Sequence, residues 1–498
     1  KMSDSPLFYA ALTYLPATLG FLGCIKPKTI FPFAIGLLLG IAGFALKAMN
    51  IGLEINYKLM WIGGIEFSFD KFTYPLLFAA SISLLIVFGL YRDKLTHYFY
   101  QISLVLLTAL TIAFSAQDLI SIYIALELTG FCAFILIADK NDNKSLFNAF
   151  QYLIGGGLAM LIYLIGVVQA FQFSGSFLIA DLSTETTPAL CLIVAGLLTK
   201  AGIFICGLWV PNIYSHANSQ SAAILSGCVT CAGVAPIARL STEMEPIQNS
   251  MVVIGVLSGI IAALYAVFER DDGRALGWSS VSQLGFAILS PTYACIYAMQ
   301  HGICKTLLFS TLISPTKGEE AVQRKEQDAE WVMVVIFIIA SLSIVGMPLT
   351  AGFITKSWLK GDIPTQAKLI TSTATLMTTT VYARLIWSRI VRFRNNLDER
   401  IGQADNKTKI SILNPRSFIL IVSGILLIGC SFSYTGAYYP ANIRDSFIAL
   451  ILGTILYTSV AGLQAEDIVK PVTRTLDLVG APFVVAALLL ANLFYFKI

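Results

Sequence analysis

Five ionisable residues lie in or beside long apolar runs, and their side chains could carry protons. A charged side chain at the centre of a bilayer costs about 2.5–3.5 kcal/mol on insertion scales, so each needs a partner or a function. One is a carboxylate, three are lysines and one is an imidazole: Glu127, Lys200, His301, Lys305 and Lys356. His301 and Lys305 are four residues apart and therefore share one face of a helix.

A buried pair of a carboxylate and a lysine can work as a switch. Burial disfavours the ammonium form of lysine, and a nearby carboxylate favours it. A pair of Glu127 and Lys200 that can separate would therefore alternate between holding and releasing a proton. Each of these residues also has a purely structural interpretation. Glu127 and Lys200 would form a static ion pair between helices, His301 would be a hydrogen-bonded core residue, and Lys356 would extend its ammonium to the membrane surface.

The elements that must position these side chains are transmembrane helices. Hydrophobic residues make up 56% of the 498 residues and charged residues only 12%, about half the charged fraction of a soluble protein. Apolar runs of roughly 20 residues, enough to span a bilayer as helix, recur along the chain. The composition predicts an all-α polytopic membrane protein with about 14–16 transmembrane helices and no sizeable soluble domain. The net charge of +4 does not imply a nucleic-acid partner.

The predicted spans number about sixteen. Their cores are 7–23, 30–49, 70–91, 98–116, 118–138, 146–171, 188–214, 221–240, 250–269, 274–290, 293–313, 331–361, 365–391, 417–434, 444–463 and 475–497. The first lacks a basic flank and a cleavage site, so we expect it to be retained rather than removed as a signal peptide. Residues 50–70 are amphipathic and too polar to span, and we expect them on the membrane surface.

The predicted orientation follows from lysine and arginine in alternate short loops. The loops near residues 26–28, 92–94, 140–144, 270–274, 317–325, 389–416 and 470–474 are basic, whereas the intervening loops are poorer in basic residues. We therefore expect the basic loops on the cytoplasmic side or its organellar equivalent, and both termini on the other side. The membrane would be a bacterial-type plasma membrane or an energy-transducing organellar or thylakoid membrane.

Two spans contain helix breakers. The seventh runs into Trp209-Val210-Pro211, and the twelfth contains Gly346-Met347-Pro348. Paired discontinuous helices are typical of a transport pathway. Spans 4–8 and 9–13 would form two five-helix repeats, inverted because five is odd. The predicted domains are residues 1–97, 98–245, 246–395 and 396–498.

The nine cysteines do not suggest a disulfide framework, because all lie within or beside apolar runs. Cys228 and Cys231 form a C-x-x-C, but no second pair and no histidine cluster accompanies it. Small residues that pack helices together are the favoured interpretation. We expect no metal and no cofactor.

Several segments in order resemble the antiporter-like membrane subunits shared by respiratory complex I, membrane-bound hydrogenases and Mrp-type multisubunit cation/proton antiporters. The resemblance runs from about residue 67 to 394. It rests on Phe69–Phe72, Gln117–Leu128, Leu198–Gly202 with Trp209–Pro211, Gly277–Gly285, Gln300–Phe309, and Gly346–Pro348 with Gly352–Lys356. The stretch Trp209–Asn212 is most similar to the Mrp D-type subunit.

The resemblance implies roles for the five residues. Glu127 and Lys200 would form the input ion pair, His301 and Lys305 the central relay, and Lys356 the terminal proton site. It also implies a hetero-oligomer with other hydrophobic subunits in the lipid bilayer. The transported ions would be H+ and sodium or another monovalent ion.

The sequence departs from the family at the centre of this relay. The family places a Lys or His in the eighth helix where this chain has Cys231, and a His where it has Tyr297. A thiol is a poor replacement for a relay base. His216, Thr230, Cys231 and Tyr297 are candidates for an accessory relay.

Three functions remain open from the sequence. The first is an Mrp-type Na+/H+ antiporter subunit. The second is a proton-pumping subunit of a complex I-like oxidoreductase or hydrogenase, whose redox chemistry would reside in partners because the chain has no iron–sulfur spacing. The third is a scaffold subunit with conduction impaired at Cys231.

Overall fold

The computed structural model describes residues 6–59, 65–139, 142–183, 187–312, 330–402, 415–432 and 435–460. Its helices, numbered by predicted span, are α1 (Pro6–Leu22), α2 (Ile30–Ile51), α3 (Thr73–Leu90), α4 (His97–Ser115), α5 (Leu119–Ile137), α6 (Asn143–Ser174), α7a (Thr187–Lys200), α7b (Trp209–His216), α8 (Ser219–Glu243), α9 (Glu245–Phe268), α10 (Asp272–Ala287), α11 (Pro291–Thr311), α12a (Glu330–Val345), α12b (Ala351–Asp362), α13 (Thr365–Gly402), α14 (Pro415–Phe432) and α15 (Pro440–Val460).

Each of the first fifteen predicted spans coincides with a helix or with a broken pair of helices. The sixteenth, at 475–497, lies outside the described residues. In the described part, seven helices are long and apolar enough on their own to cross a membrane: α2, α3, α4, α5, α6, α8 and α9. The prediction of an all-α polytopic membrane protein is confirmed.

A two-stranded hairpin occupies the segment predicted to lie on the membrane surface. Strand β1 (Ile55–Leu59) pairs antiparallel with β2 (Ile65–Phe69). The N–H of Gln117 donates to the carbonyl of Glu66 at 2.9 Å, which joins β2 to the α4–α5 connection. The alternation of apolar and polar residues in β2 is a strand signal that the prediction of a surface segment left unused.

The break in α7 is a glycine-terminated helix end. Gly202 has φ +65°, and the N–H of Ile203 donates to the carbonyl of Leu198 at 3.0 Å. A glycine in the left-handed conformation, followed by a residue whose N–H donates to the carbonyl five positions earlier, is the Schellman motif. This motif satisfies backbone carbonyls at a helix C-terminus. Pro211 lies in the first turn of α7b, where proline is tolerated. The break therefore precedes the Trp-Val-Pro stretch rather than falling on it.

The break in α12 has the same geometry. Gly346 has φ +88°, and the N–H of Met347 donates to the carbonyl of Leu342 at 3.0 Å. Pro348 lies in the connection that follows. The two broken helices, each the fourth of its predicted five-helix unit, thus stop by the same device. The unit boundaries themselves stay a prediction.

Helix α8 lies in the middle of the bundle and is irregular. It is buried along its apolar length, and its backbone is a π-helix at Leu225–Val229 and a 3₁₀-helix at Thr230–Gly233. Two glycines let it approach α11, because a Cβ on Gly302 would overlap the carbonyl oxygen of Gly227. Such irregular turns are frequent at functional sites.

Loops predicted to share a side lie together. At one end of the bundle, Arg416 pairs with Asp93 at 3.2 Å and Arg392 with Asp272 at 3.4 Å. The β-hairpin and the α4–α5 connection lie together as well, which agrees with their shared assignment to the opposite side. Which end faces the cytoplasm stays a prediction.

Candidate functional site

Glu127 and Lys200 form an ion pair between α5 and the end of α7a. The Lys200 Nζ lies 3.8 Å from Glu127 Oε1, and the side chains are 7% and 24% exposed. This Oε1 has no hydrogen-bond partner among the described residues. The pair is thus attracted by charge without a hydrogen bond at this separation, and the carboxylate lies toward the outside of the bundle.

Two glycines make room for the Lys200 ammonium. A Cβ on Gly130 of α5 would lie 2.9 Å from Nζ, and one on Gly156 of α6 would lie 3.3 Å from it. Both distances are shorter than an ordinary contact between carbon and nitrogen. The lysine head group therefore occupies a space that α5 and α6 leave open only because they lack side chains there.

The end of α7a supports a cation. Lys200 is its last residue, where unpaired carbonyls carry partial negative charge. The indole Nε1 of Trp209 donates to the carbonyl of Thr199 at 2.9 Å, so the first residue of α7b fastens the two halves of the broken helix.

The irregular segment of α8 lies between the α7 break and α11. The Thr230 Oγ1 accepts from the Tyr214 hydroxyl at 3.4 Å, and its Cγ2 would lie 3.6 Å from a Cβ on Gly202 in the break. The next residue, Cys231, points its Sγ at the carbonyl of Ala298 on α11, 3.7 Å away. Of these two predicted accessory residues on α8, Thr230 therefore faces the α7 break and Cys231 faces α11.

His301 is completely buried on α11, and neither ring nitrogen has a hydrogen-bond partner among the described residues. Buried polar groups are normally hydrogen-bonded, so an unpaired imidazole is exceptional. Among the described residues, no group satisfies this imidazole.

Lys305, one turn further along α11, is also completely buried. Its Nζ donates to the carbonyl of Leu276 at 2.8 Å and lies 3.0 Å from the hydroxyl of Tyr382, which in turn lies 3.0 Å from the Ser279 hydroxyl. No carboxylate pairs with Lys305 within the described ranges. Among the described residues this lysine is held by neutral groups alone.

Tyr297 joins a second chain of neutral polar groups beside α11. Its hydroxyl donates to Gln283 Oε1 at 2.7 Å, and Gln283 Nε2 donates to Thr378 Oγ1 at 3.3 Å. All three side chains are buried. Tyr297 is thus a hydrogen-bonded member of the α10–α11–α13 interface.

Lys356 lies on α12b and reaches back across the break. Its Nζ donates to the carbonyl of Val345, the last residue of α12a, at 3.1 Å. Gly346 makes this possible, since a Cβ there would lie 2.8 Å from Lys356 Cδ. The ammonium sits at the negative end of a helix dipole, and simple snorkelling to the surface does not describe it.

His216 lies apart from the buried groups. It ends α7b, is exposed, and its Nδ1 lies 2.9 Å from the carbonyl oxygen of Asn212 on its own helix. The structure therefore brings Thr230, Cys231 and Tyr297 to the interior near α11, but not His216.

One buried ion pair was not predicted from the sequence. Arg239 of α8 donates to both carboxylate oxygens of Asp70 at 2.6 and 2.9 Å, and also to the carbonyl of Phe114 at 2.9 Å. The two side chains are 6% and 12% exposed. Arg239 lies inside the predicted span 221–240, so it is a charge within an apolar run, like the five residues that the sequence analysis singled out. Its partner lies 169 positions away.

The neutral partners of Lys305 and Tyr297 were also missed. Tyr382, Gln283 and the carbonyl of Leu276 carry no charge, so an apolar helix can contain them without any visible penalty in the sequence. In the described part, no group of three or more His, Cys, Asp or Glu residues could hold a metal ion.

A scan of protein families matches residues 116–381, just over half of the chain, to the family described as NADH:quinone oxidoreductase/Mrp antiporter, transmembrane. Among curated proteins, the chain is 28% identical over 291 residues to "NADH-quinone oxidoreductase subunit N" of Desulforudis audaxviator. That alignment covers 52% of this chain and 58% of the relative, so the chain spans little more than half of that protein's length.

Solved structures share the fold at low sequence identity. A chain of respiratory complex I from Thermus thermophilus, with bound aureothin, superposes with TM-score 0.69 and 18% identity, covering 85% of this chain and 96% of that one. A chain of the Mrp complex from Dietzia sp. DQ12-45-1b superposes with TM-score 0.68 and 17% identity, covering 95% and 100%. At this identity the likeness concerns the fold.

Proposed function

From the premise that this chain belongs to the NADH:quinone oxidoreductase/Mrp antiporter family of membrane subunits, we propose that it translocates protons as one subunit of a multisubunit membrane complex. The observation that carries the proposal is the Glu127–Lys200 pair at the break in α7. A partly exposed carboxylate on α5 and a buried lysine at the end of an interrupted helix can pass a proton from the outer part of the bundle to its interior.

The remaining relay residues continue the route through the bundle. Thr230 lies against the α7 break and Cys231 against α11, so α8 links the input pair to the central groups. His301 and Lys305 follow on α11, and Lys356 lies beyond them at the α12 break. Water molecules between these side chains would carry the proton where no direct hydrogen bond exists.

Charge drives the steps in this scheme. While Glu127 is close, the Lys200 ammonium is favoured; when the pair opens, the amine form is favoured and the proton moves inward. At 3.8 Å the pair attracts by about 4 kcal/mol at an effective dielectric constant of 20. Opening the pair therefore removes an attraction of this size from the Lys200 ammonium.

We propose Mrp-type exchange of sodium for protons as the parent activity. It is supported by the Trp209–Asn212 stretch, which is most similar to the Mrp D-type subunit. The name of the curated relative favours a second candidate, a proton-pumping subunit of an NADH:quinone oxidoreductase. In either case other hydrophobic subunits would complete the assembly.

The decisive experiment measures proton movement in everted membrane vesicles that contain the native complex with a Lys200→Ala subunit. A pH-sensitive dye reports the gradient, and assembly is checked by purification of the complex. We expect transport to be lost while assembly is kept. Lys144→Ala, at an exposed position, is the matched control and should be active. Full transport by Lys200→Ala would refute the conducting role and leave a scaffold.

The same vesicles separate the two parent activities. In an antiporter, adding NaCl to vesicles with a preformed gradient collapses the gradient, whereas choline chloride does not. In a redox-driven pump, an electron donor builds the gradient and added sodium has no effect on it. Either response must disappear in Lys200→Ala to be assigned to this chain.

A further inference from the structure

The relay has no assigned way out beyond Lys356, and the end of α12b suggests one. Lys360 lies four residues after Lys356 and thus on the same helix face, one turn closer to the end of α12b. Its Nζ lies 4.0 Å from Oδ2 of Asp445, near the start of α15. Side-chain exposure rises to 28% at Lys360 and 45% at Asp445, so the three groups lead from the interior toward the surface.

Helix α15 is fastened to α12b next to these groups. The Asn442 Nδ2 donates to the Ser357 hydroxyl and, at 3.2 Å, to the carbonyl of Ala437. The rings of Phe353 and Tyr438 pack with centroids 4.9 Å apart. Asp445, one turn after Asn442, is therefore held opposite α12b rather than left on a free helix end.

Two further charged groups lie at this end of the bundle and take no part in the route. Asp445 Oδ1 lies 3.5 Å from Arg444, which is 71% exposed, and Asp362 at the end of α12b accepts a hydrogen bond from Ser290. Lys360 and Asp445 are 4.0 Å apart, too far for a hydrogen bond. By the loop charges this end of the bundle faces away from the cytoplasm. It is the release side when the complex pumps protons out of the cytoplasm, and the entry side, with the same steps reversed, when the complex exchanges sodium for protons.

We infer that protons leave Lys356 through Lys360 and Asp445, so that α15 supplies the exit of the relay. Through an intervening water, the Lys360 ammonium gives one proton to the Asp445 carboxylate. The resulting amine takes one, again through water, from the Lys356 ammonium, whose Nζ lies toward Val345. Asp445 then gives its proton to water, and Lys356 is recharged from the central relay. Each step moves one proton and needs no redox partner. The inference rests on the proposed proton translocation.

The test compares Asp445→Asn with two neighbours in the vesicle assay. Loss of the acceptor should slow proton transport about tenfold, because water replaces a positioned carboxylate poorly. Arg444→Gln removes the other charge beside Asp445, and Asp362→Asn removes a carboxylate at the same end; both should stay near the native rate. Asp445→Glu, which keeps a carboxylate, should restore transport.

A second readout separates proton transfer from structure. Formate, a small proton carrier, should accelerate Asp445→Asn and leave the native complex unchanged. A native rate in Asp445→Asn would overturn the exit inference while an inactive Lys200→Ala still supported the proposed function. A slow Asp445→Asn that neither formate nor Asp445→Glu restores would also overturn it, because the aspartate would then only hold the helices together.

Discussion

The space around the Lys200 ammonium can be filled one methyl group at a time. An alanine at Gly130 would place its Cβ 2.9 Å from Nζ, and an alanine at Gly156 would place it 3.3 Å away. An ordinary contact requires about 3.5 Å. The lysine head group must therefore move by about 0.6 Å in the first variant and by about 0.2 Å in the second.

The size of the effect follows from the ion pair. Attraction between charges varies inversely with distance, so a shift of about 0.6 Å in a separation of 3.8 Å changes roughly 4 kcal/mol by about a seventh. That alone alters the proton equilibrium by about twofold to threefold, and the misplaced transfer geometry adds to it. We expect Gly130→Ala to slow proton transport by roughly twofold to tenfold, and Gly156→Ala by less.

The thermal stability of these two variants should stay the same or rise while their transport rate falls. The atom displaced is the far end of a flexible side chain, and replacing glycine by alanine inside a helix stabilises it by about 1 kcal/mol. The variants should therefore assemble as well as the native chain or better. A loss of transport in a protein of equal or higher thermal stability cannot be attributed to unfolding.

Gly155 and Gly157 provide matched controls on α6. A Cβ at either position would meet no atom within 4 Å, so alanine there should leave transport unchanged. The measurement is the initial rate of dye quenching in everted vesicles, normalised to assembled complex. If Gly130→Ala transports as fast as Gly157→Ala, the position of the Lys200 ammonium does not control the rate, and the reasoning is refuted.

Three further variants test other contacts. Tyr382→Phe removes a hydroxyl 3.0 Å from Lys305 Nζ; it should slow transport several-fold with normal assembly, and a native rate would exclude the tyrosine from the relay. Gly346→Ala places an alanine at φ +88°, so it should lower the free energy of unfolding by about 1–2 kcal/mol and slow transport. Gly361→Ala is the control, because its Cβ would meet no atom within 4 Å, and it should have neither effect. Arg239→Gln removes the counter-charge of the buried Asp70 and should destabilise the subunit by about 3–5 kcal/mol. The measurement is the yield of assembled complex, and a normal yield would contradict this expectation.

The sequence predicted the helices because the membrane imposes a strict rule on them. A helix in hydrocarbon must be apolar for about 20 residues, so the hydropathy of the chain was enough to predict fifteen spans. The two breaks were predicted from proline and glycine. The break in α12 falls within the predicted stretch Gly346-Met347-Pro348, whereas the break in α7 begins at the left-handed Gly202, before the predicted Trp209-Val210-Pro211.

The charged members of the candidate site were equally visible in the sequence. Each stands out against an apolar run because a charge in lipid is unfavourable. The same argument should have found Arg239, which was overlooked because it lies near the end of its span. The hairpin was missed because ten residues of alternating pattern are a weak signal beside so many helices.

By itself, then, the sequence determined which side chains had to be explained: a glutamate, three lysines and a histidine placed where lipid makes idle charge costly. Only the tertiary structure decided what each one meets. Lys305 is held by a backbone carbonyl and a tyrosine hydroxyl, and Lys360 faces an aspartate 85 positions further on, near the start of α15. Contacts between distant parts of a chain depend on how helices pack, and neutral partners leave no mark on hydropathy.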